Sequence, residues 1–492
     1  MKQTRRTFLA SSAAMLSAAA LPAGRPQVGR APNILLCISD DQSWLHTGAG
    51  GDPVVSTPGF DRVAGEGVLF PHAFCDAPTC GPSRSALVTG QPIWRLEEAG
   101  NIHSTLPAKF ATYTEMLEQV GYAIGHTLKG WGPGRLEPGG RTRNPAGDRF
   151  GSFEEFLDSR DEGRPFCFWL GSYDPHRPYT AGSGQESGKD PAKVDVPPHL
   201  PDHPIVRDDI LDYYVEVERF DGTVRAALER LEQAGELENT LVVVTSDHGM
   251  PFPRAKASLY DYGSRVPLAV RWGDRIPGGR VVDDFVSLSD LAPTFLEAAG
   301  LEPAAEMTAS SLLPLLESSA SGRVEVERDA AYIAMERHDG CRRGGKGYPC
   351  RAIRTDSHLY IRNFEPSRWP SGSPNAKDCA RGIPYGEIDS SPTKTLMMES
   401  RGEPGIDHLA ELSFGTRPEH ELYDLASDPG QLNNQAGEPS AQQLVGQLRD
   451  RLMDHLAETG DPRALGLPAP WDYYPYYGRR VNEDWEVEAP PG

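Results

Sequence analysis

The chain has 492 residues, of which 38% are hydrophobic and 24% are charged, so it can bury a sizeable core and global disorder is not expected. Asp and Glu number 70 against 49 Lys and Arg, which gives a formal net charge of −21. This balance argues against a protein that wraps nucleic acid and against a polybasic membrane-surface binder. It leaves room for a small anionic substrate, because a local cationic pocket can outweigh the global field.

The N-terminus has the layout of an export signal. Lys2, Arg5 and Arg6 precede an uncharged stretch, residues 7–24, that is rich in Ala and Ser. The arginine pair resembles a twin-arginine signal, which a receptor reads to move folded cargo. A membrane anchor is the weaker interpretation, because the run is short and Ala-rich. We therefore predict a twin-arginine-type signal peptide over residues 1–24, the twin-arginine export machinery as a partner, and a periplasmic or extracellular protein without a stable membrane span.

Short apolar runs predict the central strands of a mostly parallel sheet. They cover residues 33–39, 165–171 and 240–246. Runs that are apolar on both faces are typical of strands covered by helices on either side. Three- and four-residue apolar spacing predicts covering helices at residues 113–121, 206–234 and 288–299. The alternation of strands and helices predicts a layered α/β domain, in which ligands gather beyond the carboxyl ends of the strands.

The character of the chain changes after about residue 320. Short strand patterns and a terminal helix pattern lie at residues 331–335, 359–363 and 442–456. We predict a catalytic α/β domain over residues 31–325 and a smaller α+β subdomain over residues 326–465. Residues 466–492 are rich in Trp, Tyr, Pro and acidic side chains, which suits either a surface strap or a loose tail.

The most specific motif in the chain covers residues 80–90 and reads Cys-Gly-Pro-Ser-Arg-Ser-Ala-Leu-Val-Thr-Gly. Cys80 lies in a Gly-Pro turn just before Ser83, which we predict as a helix N-cap. Helix N-terminal amides and the positive Arg84 would favour an anionic group at Cys80. The alternative interpretation is an ordinary structural cysteine before a capped helix.

This segment resembles the formylglycine signature of type I sulfatases, Cys-x-Pro-Ser-Arg followed by Leu-x-Thr-Gly. The resemblance implies an alkaline-phosphatase-like fold, with a central, mostly parallel sheet flanked by helices and a smaller C-terminal α+β subdomain. It also implies that a formylglycine-generating maturation enzyme oxidises Cys80 to an aldehyde, whose hydrate is the nucleophile. A simple alkoxide would leave a stable sulfate ester, whereas deprotonating the second hydroxyl of a hydrate expels sulfate and regenerates the aldehyde.

The strand-end motifs Asp40-Asp41 and Asp247-His248 form a second group. Adjacent carboxylates repel each other when both are ionised, so their presence at a strand end points to a cation. Each pair alone would be a helix cap or a solvated turn. Together with Cys80 they match the metal ligands of the family, and oxygen donors favour Ca²⁺, with Mg²⁺ as the second candidate. Many members have Asn at the position of His248, so the metal site departs from the common pattern.

The resemblance implies roles for several basic residues. Lys129 lies in Leu-Lys-Gly-Trp-Gly, His176 in Asp-Pro-His-Arg-Pro, and Lys256 before Ala-Ser-Leu-Tyr. The two lysines would neutralise the sulfuryl oxygens in the transition state. His176 would protonate the departing group or accept the proton of the hydrate, and Arg84 would orient the hydrated aldehyde. Trp131 stands where the family has His, which removes an expected sulfate contact.

We therefore expect an exported sulfatase that hydrolyses sulfate esters or N-sulfate groups of a sulfated glycan. Pro251-Phe-Pro253, with Leu259-Tyr260 beyond, is similar to the sulfamidase, or heparan N-sulfatase, branch. A phosphonate or phosphate monoester hydrolase on the same fold is the enzymatic alternative. A secreted, non-catalytic glycan-binding protein with an unmodified Cys80 is the alternative from another class.

The chain has 7 cysteines, and an odd count in an exported protein leaves at least one sulfur unpaired. Cys37 and Cys167 lie inside apolar runs and are expected to be buried small hydrophobes. Cys341 and Cys350 flank a Gly-rich loop and are candidates for a disulfide, a pairing that the sequence alone does not decide.

Overall fold

A computed structural model describes residues 31–490, and the predicted signal peptide lies outside the described residues. The strands are β1 (Asn33–Ser39), β2 (Val68–Leu69), β3 (Ala73–Phe74), β4 (Ala123–Thr127), β5 (Asp148–Phe150), β6 (Phe166–Gly171), β7 (Thr240–Ser246), β8 (Leu268–Arg271), β9 (Arg280–Val281), β10 (Val286–Ser287), β11 (Ala330–Met335), β12 (Cys350–Thr355), β13 (His358–Asn363) and β14 (His420–Asp424). The helices are α1 (Pro58–Glu66), α2 (Cys80–Thr89), α3 (Tyr113–Gln119), α4 (Phe153–Ser159), α5 (Ser183–Glu186), α6 (Pro204–Gln233), α7 (Asp261–Ser264), α8 (Leu291–Ala298), α9 (Leu313–Glu317), α10 (Pro392–Glu399), α11 (Asp407–Phe414) and α12 (Gln442–Glu458).

The central sheet has eight strands in the order β5-β4-β6-β1-β7-β8-β2-β9. Strand β1 pairs in parallel with β6 on one side and with β7 on the other, whereas β8 runs antiparallel to β7. Every residue of β1, β6 and β7 is buried, as expected for strands covered on both faces. The predicted central strands are therefore confirmed, and the sheet is mixed but mostly parallel.

Helices cover both faces of this sheet. On one face, α1, α4 and α6 share a hydrophobic cluster with the strands, in which Phe156 and Val224 belong with Phe168 and Val242. On the other face, Trp169 of β6 donates a hydrogen bond of 2.6 Å to the hydroxyl of Tyr113 in α3. The alternation of side chains along β6 sends Phe168 and Trp169 to opposite faces, which explains why both layers can pack on one strand. This arrangement confirms the predicted α/β fold class.

A smaller antiparallel sheet follows in the chain, with the order β11-β12-β13-β14. Helix α12 packs on it, since Leu452 lies in one hydrophobic cluster with Ile353 and Tyr360. Trp471 belongs to the same cluster and is 1% exposed, so this aromatic side chain packs the C-terminal region. Within the described part of the chain, no helix is both long enough and apolar enough to cross a bilayer.

Two local expectations differ from the structure. Helix α2 begins at Cys80 with Thr79 at the N-cap position, so Ser83 is not the N-cap but lies inside the helix. A proline in the first turn is tolerated, because the N–H groups there have no partner within the helix, and the helix can therefore begin before Pro82. The sulfur nearest to Cys341 is that of Cys379 and not that of Cys350, which lies within β12.

Candidate active site

The side chain of Cys80 lies where the central sheet meets the first turn of α2. It is 2% exposed and lines a cavity of about 850 Å³. Its Sγ is 3.5 Å from Oδ1 of Asp40 and 3.2 Å from Nε2 of His248. Because the first N–H groups of a helix have no intrahelical acceptor, this position favours negative charge on a group attached there.

The two acidic motifs meet because their strands are neighbours. Strands β1 and β7 are parallel and in register from Asn33 to Ser39, so Asp40-Asp41 and Asp247 leave the sheet at the same edge. Asp41 has a φ of 76°, in the left-handed region that L residues rarely adopt. Successive side chains of a strand point to opposite faces, and this turn instead brings the carboxylates of Asp40 and Asp41 to one side. Their ligand atoms and those of Cys80 and His248 all lie within 4.8 Å of one another.

The donor atoms of this group fit a divalent cation. His248 places Nδ1 3.1 Å from the carbonyl oxygen of Gly249, and a proton on Nδ1 leaves a lone pair on Nε2. That Nε2 lies 3.0 Å from Oδ1 of Asp41, which has no hydrogen-bond partner within residues 31–490. Two buried lone pairs facing each other are stabilised by a positive ion between them. Asp40, Asp41, Cys80 and His248 therefore form a group able to hold a metal, and Oδ1 of Asp247 lies 3.8 Å from Nε2 of His248 at its edge.

Arg84 is fully buried and contacts Asp247. Its Nε donates to Oδ2 of Asp247 at 2.9 Å, and its Nη1 donates to the carbonyl oxygens of Lys129 and Gly130 at 3.0 and 2.9 Å. Burial alone would raise the pKa of Asp247, but Arg84, His248 and Lys129 together outweigh it and keep this pKa well below its usual range. The guanidinium thus holds the loop that carries Lys129 and is one of the groups that keep Asp247 ionised.

Two lysines lie near Cys80, of which Lys256 is buried and Lys129 is slightly exposed. Lys129 places Nζ 2.5 Å from Oδ1 of Asp40, and Lys256 places Nζ 2.8 Å from Oδ2 of Asp41. Burial alone would lower the pKa of each lysine, but the neighbouring carboxylates raise both above the usual value. Both side chains are therefore cations at neutral pH, as the stabilisation of a sulfuryl group requires.

Asp389 is a site residue that the sequence analysis missed. Its Oδ2 lies 2.9 Å from Nζ of Lys256, so that lysine is held between Asp389 and Asp41. The residue lies between β13 and α10, outside any strand or helix, and no motif marks it in the sequence. Its position depends on how the C-terminal region packs against the catalytic sheet.

His176 lies in the loop after β6 and lines the cavity. Its Nδ1 is 2.6 Å from the carbonyl oxygen of Arg177, and its Nε2 is 3.9 Å from Oδ2 of Asp41. The side chain is 34% exposed, so the ring can meet a bound molecule. A proton donated from Nδ1 to the backbone leaves Nε2 free to exchange a proton within the cavity.

The cavity wall also contains Trp131, which the sequence analysis had noted, and several residues that it had not. Trp131 lines it, but its indole N–H donates to Oγ of Ser85 at 2.8 Å, so the ring packs on α2. Three histidines and one ion pair also line the cavity, namely His103, His126, His338 and the pair Asp339 and Arg381. Of these, only His338 and Asp339 could have been found from the sequence, because they closely follow the strand predicted at residues 331–335. Of the residues predicted for the site, five line this cavity, namely Asp40, Cys80, Lys129, His176 and Lys256. The other four do not line it but lie within 4 Å of residues that do, namely Asp41, Arg84, Asp247 and His248.

Comparisons with known proteins agree with this geometry. Residues 32–133 and 149–301 match the family model described as Sulfatase, and residues 251–369 match the one described as N-sulphoglucosamine sulphohydrolase, C-terminal. An ulvan-active sulfatase of Formosa agariphila is 26% identical over 479 residues, covering 88% of this chain and 76% of that protein. Human N-sulphoglucosamine sulphohydrolase is 28% identical over 490 residues, covering 88% of this chain and 91% of that protein.

A solved structure of a protein in complex with its substrate D-glucosamine-2-N,6-O-disulfate has the same fold. It superposes with a TM-score of 0.62 at 19% sequence identity, covering 88% of this chain and 99% of that one. The family match extends over more than half of the chain, and the matched segments contain the strand-end acids, Cys80 and both lysines. This chain therefore belongs to the sulfatase family, as a sulfuric ester hydrolase of the type I, sulfamidase-like branch.

Proposed function

We propose that this sulfatase is exported and hydrolyses sulfate esters or N-sulfate groups of a sulfated glycan, with a formylglycine made from Cys80 as nucleophile and Ca²⁺ as the metal. The observation that carries the proposal is the position of Cys80, whose sulfur belongs to the cation-binding group and lies near the positive charges of Lys129 and Lys256. The name of the human relative and the ligand of the solved neighbour both concern N-sulfated glucosamine, which supports a sugar substrate. A cavity of about 850 Å³ is large enough for a sugar residue.

The protein residues around Cys80 would bind and orient the sulfuryl group. Lys129 and Lys256 are cations that line the cavity, and each can direct N–H groups to a sulfuryl oxygen. His176 would give a proton to the leaving oxygen or nitrogen through Nε2. Once formed, the hydrated aldehyde supplies a nucleophile and a second hydroxyl whose deprotonation expels sulfate. Asp389 would keep the ammonium group of Lys256 in place while the substrate enters.

The metal would be held by Asp40, Asp41, Asp247 and His248, with the side chain formed from Cys80 as a further ligand. When bound, a divalent ion polarises a sulfate oxygen and lowers the pKa of a nearby hydroxyl. Three carboxylates favour a hard ion such as Ca²⁺ or Mg²⁺, whereas an imidazole donor is more typical of transition metals. The identity of the ion is therefore part of the proposal, and Mg²⁺ remains the second candidate.

Removing the metal should abolish activity. We expect dialysis against a chelator to lower the rate of sulfate release by at least about a hundredfold, because the metal supplies several kcal/mol of charge stabilisation. Added Ca²⁺ should restore the rate, and Mg²⁺ should restore it less well. The measurements are inorganic sulfate by ion chromatography and metal content by elemental analysis. Unchanged turnover in protein shown to be metal-free would contradict the assignment.

Replacing Lys256 should slow the reaction strongly. Lys256→Ala removes a cation that is 4% exposed and faces the cavity, so kcat/KM should fall by about a hundredfold or more. Lys109→Ala is the matched control, since that lysine is exposed and pairs with Glu97 outside the cavity. Steady-state kinetics on both variants tests this. Equal rates for the two variants would show that Lys256 takes no part in the reaction.

The proposal as a whole is tested with protein co-expressed with a formylglycine-generating enzyme. Mass spectrometry of the Cys80 peptide should show the aldehyde, and the protein should release sulfate from N-sulfated or 6-O-sulfated glucosamine saccharides. Parallel assays with phosphate and phosphonate monoesters distinguish a sulfatase from the alternative, a phosphate or phosphonate monoester hydrolase. Faster hydrolysis of phosphonate esters than of sulfate esters would favour the phosphonate monoester hydrolase. An unmodified Cys80 thiol in a protein that binds the saccharide without turnover would favour the glycan-binding protein.

A further inference from the structure

Two cysteines outside the reaction centre face each other in the C-terminal region. Sγ of Cys341 lies 3.2 Å from Sγ of Cys379, and the two residues are 38 positions apart in the chain. Both are fully buried. Hydrogen bonding from Cys341 lowers the pKa of Cys379 to about 6, so Cys379 carries much thiolate at neutral pH. The thiolate is the species that reacts in thiol–disulfide exchange.

The close approach of the two sulfurs depends on a glycine beside them and on a backbone hydrogen bond between their segments. A Cβ atom at Gly386 would lie 2.4 Å from Sγ of Cys341 and 2.7 Å from Sγ of Cys379, so this position requires glycine for the sulfurs to meet. The amide of Ala380 donates to the carbonyl oxygen of Gly340 at 2.7 Å, which ties together the two segments beside the cysteines.

These segments also form part of the wall of the active-site cavity. Asp339 lies two residues before Cys341, and Arg381 lies two residues after Cys379. Both line the cavity, and Nε of Arg381 is 2.9 Å from Oδ2 of Asp339. A covalent link between the cysteines would therefore hold this ion pair at a fixed place in the wall that a substrate meets.

We propose that Cys341 and Cys379 form a disulfide that fixes the Asp339–Arg381 pair in the wall of the active-site cavity. The oxidant is a disulfide, either that of a thiol–disulfide oxidoreductase or glutathione disulfide. The exchange takes place as the chain folds, before the two sulfurs are buried. The Cys379 thiolate attacks the donor and displaces one thiol, and Cys341 then loses its proton, attacks Cys379 and displaces the second thiol. Two protein thiols become one disulfide while the donor disulfide becomes two thiols. The disulfide itself is independent of the formylglycine, the metal and the substrate, whereas its effect on KM rests on the proposed function.

The link is tested first by chemistry. The full-length protein is refolded from denaturant in the presence of glutathione disulfide, then alkylated in denaturant without reductant and digested. We expect one cross-linked peptide that contains both Cys341 and Cys379, which dithiothreitol separates into two. The proposal is overturned if both cysteines carry the alkylating group, or if Cys341 is linked to Cys350 instead.

The consequence is tested by stability and kinetics. The disulfide closes a long loop, so reduction of the parent protein should lower Tm by on the order of 5 °C. Cys341→Ala and Cys379→Ala should each remove this dependence on reductant and raise KM while kcat changes little. Cys350→Ala is the control, because it leaves the pair intact and should keep the dependence. If reduction of a demonstrated link left the KM of the parent unchanged, the proposed role in the cavity wall would be overturned.

Discussion

Cys80→Ala, expressed together with a maturation enzyme, is expected to release inorganic sulfate at least about 10³-fold more slowly than the parent. The reason is chemical, because the variant has no side chain from which an aldehyde can be made. An unmodified thiol at this position should be inactive as well, since burial raises its pKa well above the usual range. Lys129, His176 and the metal ligands remain in place in the variant, so binding of the sulfated saccharide should survive.

Two companion variants sharpen this test. Cys75→Ala removes another fully buried cysteine, five positions earlier in the chain, and should leave turnover unchanged. Cys80→Ser provides a single hydroxyl, which can accept a sulfuryl group but has no second hydroxyl to expel it. We expect this variant to show no turnover and to carry a stable sulfate ester on the altered peptide. If Cys80→Ala retained the parent turnover, the nucleophile would be another residue and the proposed mechanism would be wrong.

The central part of the site could be predicted because it depends on short segments with strong local signals. Strands β1 and β7 are apolar on both faces, and parallel neighbours must end at the same edge of the sheet. Asp40, Asp41 and Asp247 therefore meet without any information about loops. Cys80 was found through its motif, although the start of its helix was misplaced, since Pro82 was interpreted as part of a turn rather than of the first helical turn.

The outer part of the site could not be predicted, since it depends on packing between distant parts of the chain. Asp389 reaches Lys256 from a segment without regular structure, and Arg381 reaches the cavity from a neighbouring loop. Neither has a periodic pattern or a motif around it. The contact of Cys341 with Cys379 was missed for the same reason, because proximity in the sequence favoured Cys350.

The contacts of Arg84 point to a different role from the one that the resemblance implies. The resemblance implies that Arg84 orients the hydrated aldehyde, whereas the hydrogen bonds of its guanidinium run to Asp247 and to backbone carbonyl oxygens such as that of Lys129. We infer from these contacts that Arg84 is a positioning residue, which acts through Asp247 and through the loop of Lys129. The two interpretations predict different responses to added metal.

Arg84→Lys is expected to weaken metal binding by about 10- to 100-fold, the usual cost of losing a partner that orients a ligand. A lysine has one ammonium group in place of the planar guanidinium, so it cannot donate to both Asp247 and the carbonyl oxygen of Lys129 in the same geometry. Sulfate release should fall in proportion at limiting Ca²⁺ and recover at excess Ca²⁺. Calcium titration by calorimetry and steady-state kinetics at two calcium concentrations measure the two effects.

The matched control for Arg84→Lys is Arg62→Lys, which alters a partly exposed arginine that pairs with Glu66 and Glu232 on the surface. Its metal affinity and turnover should equal those of the parent. If Arg84→Lys bound Ca²⁺ as tightly as the parent and yet stayed slow at every calcium concentration, the arginine would act on the nucleophile directly. That result would restore the role implied by the resemblance, and a recovery with Ca²⁺ would assign Arg84 to the support of Asp247.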